Sequence, residues 1–137
     1  MRLNRDHLIE RFHSYGCPRH NWRVGGEFER AVVRPNGAPI GYHEADGIEW
    51  VLKQLAKDTA WNPIHEGDHL IALQQADQAN ITLEPGGQVE LSGAPHHTLT
   101  ALADEMMANR TALLDISRDQ NHVWIAAGLT PITPISD

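Results

Sequence analysis

Residues 88–92, Gln-Val-Glu-Leu-Ser, alternate polar and apolar side chains. In an extended chain successive side chains point to opposite faces. Val89 and Leu91 then face one way, and Gln88, Glu90 and Ser92 the other. A second run, Val24-Gly25-Gly26-Glu27-Phe28-Glu29-Arg30, repeats the arrangement, with Glu27 and Glu29 on one face and Phe28 opposite. Glu is depleted in strands. Four glutamates in strand-like runs (Glu27, Glu29, Glu84 and Glu90) therefore call for a sheet with one apolar and one acidic face. A solvated sheet face is the plain explanation, since antiparallel sheets often leave one face wet. The local backbone argues for more. Pro85-Gly86-Gly87 forces a specialised turn between Glu84 and Gln88. Gly25-Gly26 permits close approach of another backbone or a ligand before Glu27. Several carboxylates around one space suit a hard cation with oxygen ligands, such as Mg2+.

The chain has 137 residues, the size of one domain with its own core, and residues 1–137 are expected to form a single domain. A hydrophobic content of 41% and a charged content of 21% are those of a folded protein. The net charge of -7 argues against nucleic acid as the main partner, because phosphate contacts need clustered Lys and Arg. It does not exclude ATP, whose phosphates metal ions can bridge. Cys17 stands alone, so no internal disulfide forms, and a reducing, cytoplasmic setting is expected. The N-terminus lacks the apolar run of a secretory signal, and no stretch has the length of a membrane span.

Periodicity divides the chain into elements. Asn4 predicts the cap of a helix over 4–15, with Leu8, Ile9 and Phe12 as its apolar side and Leu3 packed on Leu8. Residues 21–33 read as a strand, followed by the turn Arg34-Pro35-Asn36-Gly37. Asp46-Gly47-Ile48-Glu49 has capping-box spacing, and Ile48, Val51, Leu52 and Leu55 follow at helical intervals. Short strands are expected at 61–65, 69–74, 79–84 and 87–92, close enough in sequence to pair antiparallel. A long helix spans Pro95 to about Ile116, its stripe of Leu99, Leu102, Met106 and Leu113 interrupted by Asn109. Residues 122–126 read as a last strand, and the proline-punctuated 130–137 as irregular. The sum is an α+β fold, a mainly antiparallel sheet with helices on one face.

Other chemistries are poorly supported. The nine histidines lack zinc-site spacing and have no cysteine pair to help. Cys17 falls in a helix-to-strand loop, where packing outweighs a nucleophilic role. Neither a Walker loop nor a dinucleotide fingerprint is present.

Leu83–Pro95 resembles the LEPGGQ-[FV]-ELSGAP signature of the plant and proteobacterial glutamate–cysteine ligases. Trp22–Arg30 resembles that family's WRIGTEHEK segment, and Trp61–Asp68 its W-x-P-x-x-EGD segment, followed by Leu70-Ile71-Ala72-Leu73. The likeness runs from about Leu8 to about Pro131. It implies an ATP-dependent ligase that joins the γ-carboxylate of glutamate to cysteine, the first step of glutathione synthesis, through an acyl phosphate. It also implies a glutamine synthetase-like antiparallel sheet, of which this chain resembles the N-terminal part. By matching position, Glu27, Glu29, Glu84 and Glu90 are expected to hold Mg2+, with ATP as co-substrate, and Gln88 and Ser92 to help place substrate. No catalytic residue is singled out.

The sequence departs from the family pattern at Gly26, Phe28 and Val89, which stand for Thr, His and the usual Phe. Few of its 11 Lys and Arg lie near the signature, and the family's later basic segment is not matched. The alternatives are a truncated remnant that binds divalent metal, a subunit completed by another chain, or a carboxylate–amine ligase using another amine. An unfinished sheet edge predicts self-association or complementation by a missing C-terminal part.

Overall fold

Six strands form one sheet in the order β2-β3-β4-β5-β1-β6, with every neighbouring pair antiparallel. The strands are β1 (Glu27–Val33), β2 (Asn62–Glu66), β3 (His69–Gln74), β4 (Asn80–Glu84), β5 (Gln88–Ser92) and β6 (Val123–Ile125). Three helices accompany them: α1 (Arg5–Ser14), α2 (Ile48–Leu55) and α3 (Leu99–Ile116). This computed structural model describes residues 3–128, so the expected irregular segment at 130–137 lies outside the described residues.

The α+β expectation holds. Side chains at even positions of β1 and odd positions of β4 and β5 build the core: Val32, Ile81, Val89 and Leu91 are buried there. Ile48, Val51, Leu52 and Leu55 of α2 and Leu113 of α3 close over them. The four α2 positions are at most 5% exposed, as their helical spacing predicts.

Several expectations need correction. Asp46 does not cap α2: the N-cap is Gly47, without a side-chain cap bond. The Asp46 carboxylate is held instead by Arg34, at 2.6 and 2.7 Å, and charge pairing outcompetes the cap. Gly47 is required by close packing, because a Cβ there would lie 2.2 Å from the Gly41 carbonyl oxygen. Helix α1 has its expected Asn4 cap, yet Leu3, Leu8 and Phe12 are exposed and no α1 residue is buried. The expected Leu3–Leu8 staple therefore covers neither residue. Strand β1 begins at Glu27 rather than 21: residues 19–21 form a short 3-10 turn, and between them and the strand only Val24 pairs, in an isolated bridge with His96. Helix α3 starts at Leu99 with Thr98 accepting from the Ala101 amide. Leu99 is 73% exposed, so the α3 stripe reaches the core only towards its C-terminal end, at Leu113.

Candidate functional site

The register of the three central strands sets the acidic face. Across β1 and β5, Glu27 pairs with Ser92 and Glu29 with Glu90. Across β5 and β4, Ser92 pairs with Asn80, Glu90 with Thr82 and Gln88 with Glu84. Directly opposite residues share a face. Glu27, Glu29, Glu84, Gln88, Glu90 and Ser92 therefore all lie on the side away from Val89 and Leu91. The alternation puts them there, and the turn fixes its phase. Gly87 N–H donates to the Glu84 carbonyl, and Gly86 and Gly87 hold φ of 83° and 78°. Only glycine takes such angles without strain, so Pro85-Gly86-Gly87 locks Glu84 opposite Gln88.

The face is uneven in depth. Glu90 is 9% exposed and Gln88 5%, whereas Glu27 and Glu29 are exposed and Glu84 and Ser92 half-buried. Neighbours hold two of the carboxylates. The Ser92 hydroxyl donates to Glu90 Oε1 at 2.8 Å. Gln88 Nε2 donates to Glu29 Oε2 at 3.3 Å and to the Ala127 carbonyl at 3.0 Å. The chain leaving β6 runs on beside β1 in the same register, which brings Ala127 level with Glu29 and Gly128 close to its carboxylate.

Electrostatically this face is lopsided. Like charges placed directly opposite on neighbouring strands are destabilising, and Glu29 faces Glu90. Among the described residues, none of the four glutamates forms an ion pair. The donors present are carboxylates, an amide and a hydroxyl, the all-oxygen set that suits a hard cation. Convergence is incomplete: among the described residues no three His, Cys, Asp or Glu side chains come together closely enough to hold a metal ion. An open cleft of about 340 Å3, lined by Gly25, Gly26, Glu27, Ser92 and Gly93, adjoins the acidic row.

Gly26 answers to packing as much as to a ligand. A Cβ there would come 2.9 Å from Leu102 Cδ1 of α3, and Gly26 O accepts from the Gly93 amide. Three participants have no local sequence signal. Ala127 and Gly128 reach the face because the chain runs on past β6 beside β1. Glu105 on α3 accepts from the Ala94 amide at 2.9 Å and meets His96 Nε2 at 2.9 Å, which fixes the chain leaving β5.

The profile of Glutamate-cysteine ligase family 2 matches residues 23–136. The chain is 36% identical over 124 residues to "Glutamate--cysteine ligase A, chloroplastic" of Oryza sativa subsp. japonica, covering 89% of this chain and 24% of the relative. It is 34% identical over 131 residues to "Glutamate--cysteine ligase, chloroplastic" of Brassica juncea, covering 94% and 24%, and the same figures apply to that of Arabidopsis thaliana. The chain thus spans about a quarter of the length of these relatives.

Proposed function

The chain belongs to glutamate–cysteine ligase family 2, and from that membership we propose that it carries the cation-holding sheet of a ligase that couples ATP to γ-glutamylcysteine formation. The observation that supports the reading best is the uncompensated Glu29–Glu90 pair, flanked on the same face by Glu27 and Glu84. Glu27, Glu29, Glu84 and Glu90 would hold Mg2+. The donor set fits that ion. The exposed side chain of Glu27 is free to turn towards the buried Glu90, which supplies the fixed point opposite Glu29.

Each polar residue of the face then has a task. Ser92 orients Glu90 through its hydroxyl. Gln88 holds Glu29 and the chain at Ala127 together, which positions the carboxylate before a cation arrives. These contacts make Gln88 and Ser92 positioning residues for the carboxylates first and substrate contacts second. Bound Mg2+ would screen the repulsion between the ATP γ-phosphoryl and the glutamate γ-carboxylate, and stabilise the transferring oxygens. Catalysis on this scheme is mainly positioning. The cleft at Gly25, Gly26 and Gly93 offers backbone-walled space next to Glu27 for a substrate carboxylate or phosphate. The antiparallel sheet would belong to a glutamine synthetase-like funnel, with the acidic face as its lining.

On this reading the acidic face accounts for one part of the reaction, the holding of the cation. It leaves the groups that steady nucleotide and cysteine to other parts of a ligase, in the same polypeptide or a complementing one. A reducing compartment suits it, because cysteine is consumed as the thiol and Cys17 is itself exposed.

Two measurements test the reading. Isothermal titration of Mg2+ into the chain is expected to show saturable binding that Glu27→Gln weakens and Glu90→Gln weakens further. No heat of binding for the unaltered chain would end the proposal. Product assays with ATP, glutamate and cysteine, run with and without a family C-terminal portion, then separate the versions. Turnover by the chain alone favours an autonomous ligase, and turnover only on mixing favours complementation. A panel of alternative amines tests the choice of cysteine.

A further inference from the structure

Strand β1 has a second chemical face. Phe28 and Arg30 alternate with Glu27 and Glu29, so they point to the opposite side of the sheet, towards α3. A cavity of about 230 Å3 opens there, walled by Phe28, Arg30, Arg110, Leu113 and Trp124 among others. Arg30 is only 6% exposed. Its guanidinium lies over the Phe28 ring, 4.8 Å from the centroid, and Nη1 donates to Asn109 Oδ1 at 2.8 Å. Asn109 is neutral, so this bond leaves the charge in place. Among the described residues neither Arg30 nor Arg110 forms an ion pair.

Buried charges are ordinarily paired, because desolvation is expensive without an opposite charge. Here a second guanidinium makes matters worse. Arg110 repels Arg30 across the cavity they share. A guanidinium carries five donors in a planar fork matched to carboxylate, and Asn109 takes one of Arg30's.

We propose that this cavity binds a small organic anion, a carboxylate on a compact apolar body, clamped between Arg30 and Arg110. The remaining walls define the body. Phe28, Leu113 and Trp124 offer aromatic and aliphatic surface, which a bare inorganic anion would leave unused. Size points the same way. An apolar cavity of roughly 150 Å3 accommodates benzene, so this one takes a ring with its carboxylate. It is smaller than the sites that enclose drug-sized ligands, which start at about 300 Å3. The site is separate from the acidic face, since the sheet lies between them. The carboxylate neutralises both guanidiniums and replaces water around Arg30, while the ring lies against Phe28 and Trp124.

The test uses the full 137-residue chain, labelled with 15N and titrated with sodium benzoate, benzamide and sodium phosphate at matched ionic strength. Benzoate is expected to shift the amides of Phe28, Arg30 and Trp124 saturably. Benzamide should bind about tenfold or more weaker, the loss expected when a charge-assisted hydrogen bond is removed, and phosphate should also bind about tenfold or more weaker, because it buries none of the aromatic and aliphatic wall. Arg110 is exposed, so Arg110→Met should keep the unfolding midpoint and lower benzoate affinity by about tenfold. Arg30→Met should abolish binding while leaving the chain at least as stable, because an unpaired buried charge becomes apolar. If that variant fails to fold, Arg110→Met decides alone. Absence of saturable benzoate shifts overturns the proposal. So does equal binding of benzamide, which marks an apolar hollow, or of phosphate, which marks an unspecific cationic patch. Unchanged benzoate affinity in Arg110→Met overturns it as well.

Discussion

At the scale of single residues, the acidic face is a case of stability set against loading. Glu29 and Glu90 oppose each other as Cα partners, a placement that repels without a cation. Glu90→Gln keeps an oxygen for the Ser92 hydroxyl and removes one charge. In EDTA it is expected to stabilise the chain by about 0.5 kcal/mol, the scale of a relieved cross-strand pair. In saturating Mg2+ the order should reverse, with the unaltered chain the more stable. Urea unfolding under the two conditions checks both signs, and the same order in both would show that the pair is not a cation site. Other residues bear strain with no such return. Gln78 holds φ of 83° in the turn between β3 and β4. Non-glycine residues pay for that conformation, so Gln78→Gly is expected to stabilise by about 1 kcal/mol, read as a raised urea midpoint. Gly47→Ala should do the opposite, because its Cβ would meet backbone, the Gly41 carbonyl oxygen at 2.2 Å. A loss of about 1–3 kcal/mol is the cost typical of forced overpacking.

At the scale of elements, local pattern identified the strands and the packing stripe of α2, while long-range pairing decided the rest. Strands β2 to β5 lie within a residue or so of their expected positions because alternation and turn glycines are local signals. Two residues whose partners lie far off in sequence show it. Asn109 looks like a break in the α3 stripe, but it receives Arg30 from β1, 79 residues away. Asp46 looks like a helix cap, but Arg34 claims it from 12 residues upstream. Neither partner could be found by periodicity, and nothing in α1 itself shows that its apolar side is left exposed. The Asp46 case leads to a pH prediction. The hydrogen bond from Arg34 lowers the Asp46 pKa to about 2, with His122 a minor helper. A depressed carboxylate stabilises the fold above its ordinary pKa, near 3.9, and loses that contribution as pH falls towards 2. Glu44 is lowered by the Gly41 amide and by Arg34, and works in the same direction. Asp46→Asn should therefore cost on the order of 1 kcal/mol near pH 6, after allowance for solvent screening. The difference from the unaltered chain should vanish between about pH 4 and pH 2, as measured by denaturation midpoints. A difference that persists at pH 2 would mean that Asn fails for steric reasons and that the Arg34 pairing contributes little.

At the scale of the whole molecule, one sheet separates two kinds of surface. Its core side carries α2 and α3, and its other side carries the four glutamates. The side-chain alternation that separates these surfaces was legible from sequence, because a period of two leaves no other arrangement for residues 88–92. The closeness of the carboxylates was not, since it depends on β1 pairing with β5 across about sixty intervening residues. That pairing makes the acidic face a property of the folded state alone. A ligand held by the native face and not by the unfolded chain raises stability by mass action. Mg2+ at ten times its dissociation constant should therefore add about 1.4 kcal/mol. The rise in melting temperature should grow with the logarithm of Mg2+ concentration once the site is saturated. Sodium at equal ionic strength also screens the repulsion of a chain with net charge -7, but its effect should level off. Glu27→Gln with Glu90→Gln in one chain should remove the Mg2+ increment and leave the sodium effect. If the two salts raise the melting temperature alike at every ionic strength, the glutamates act only as a diffuse negative surface. The placement of a ligase's cation site on this sheet then fails with them.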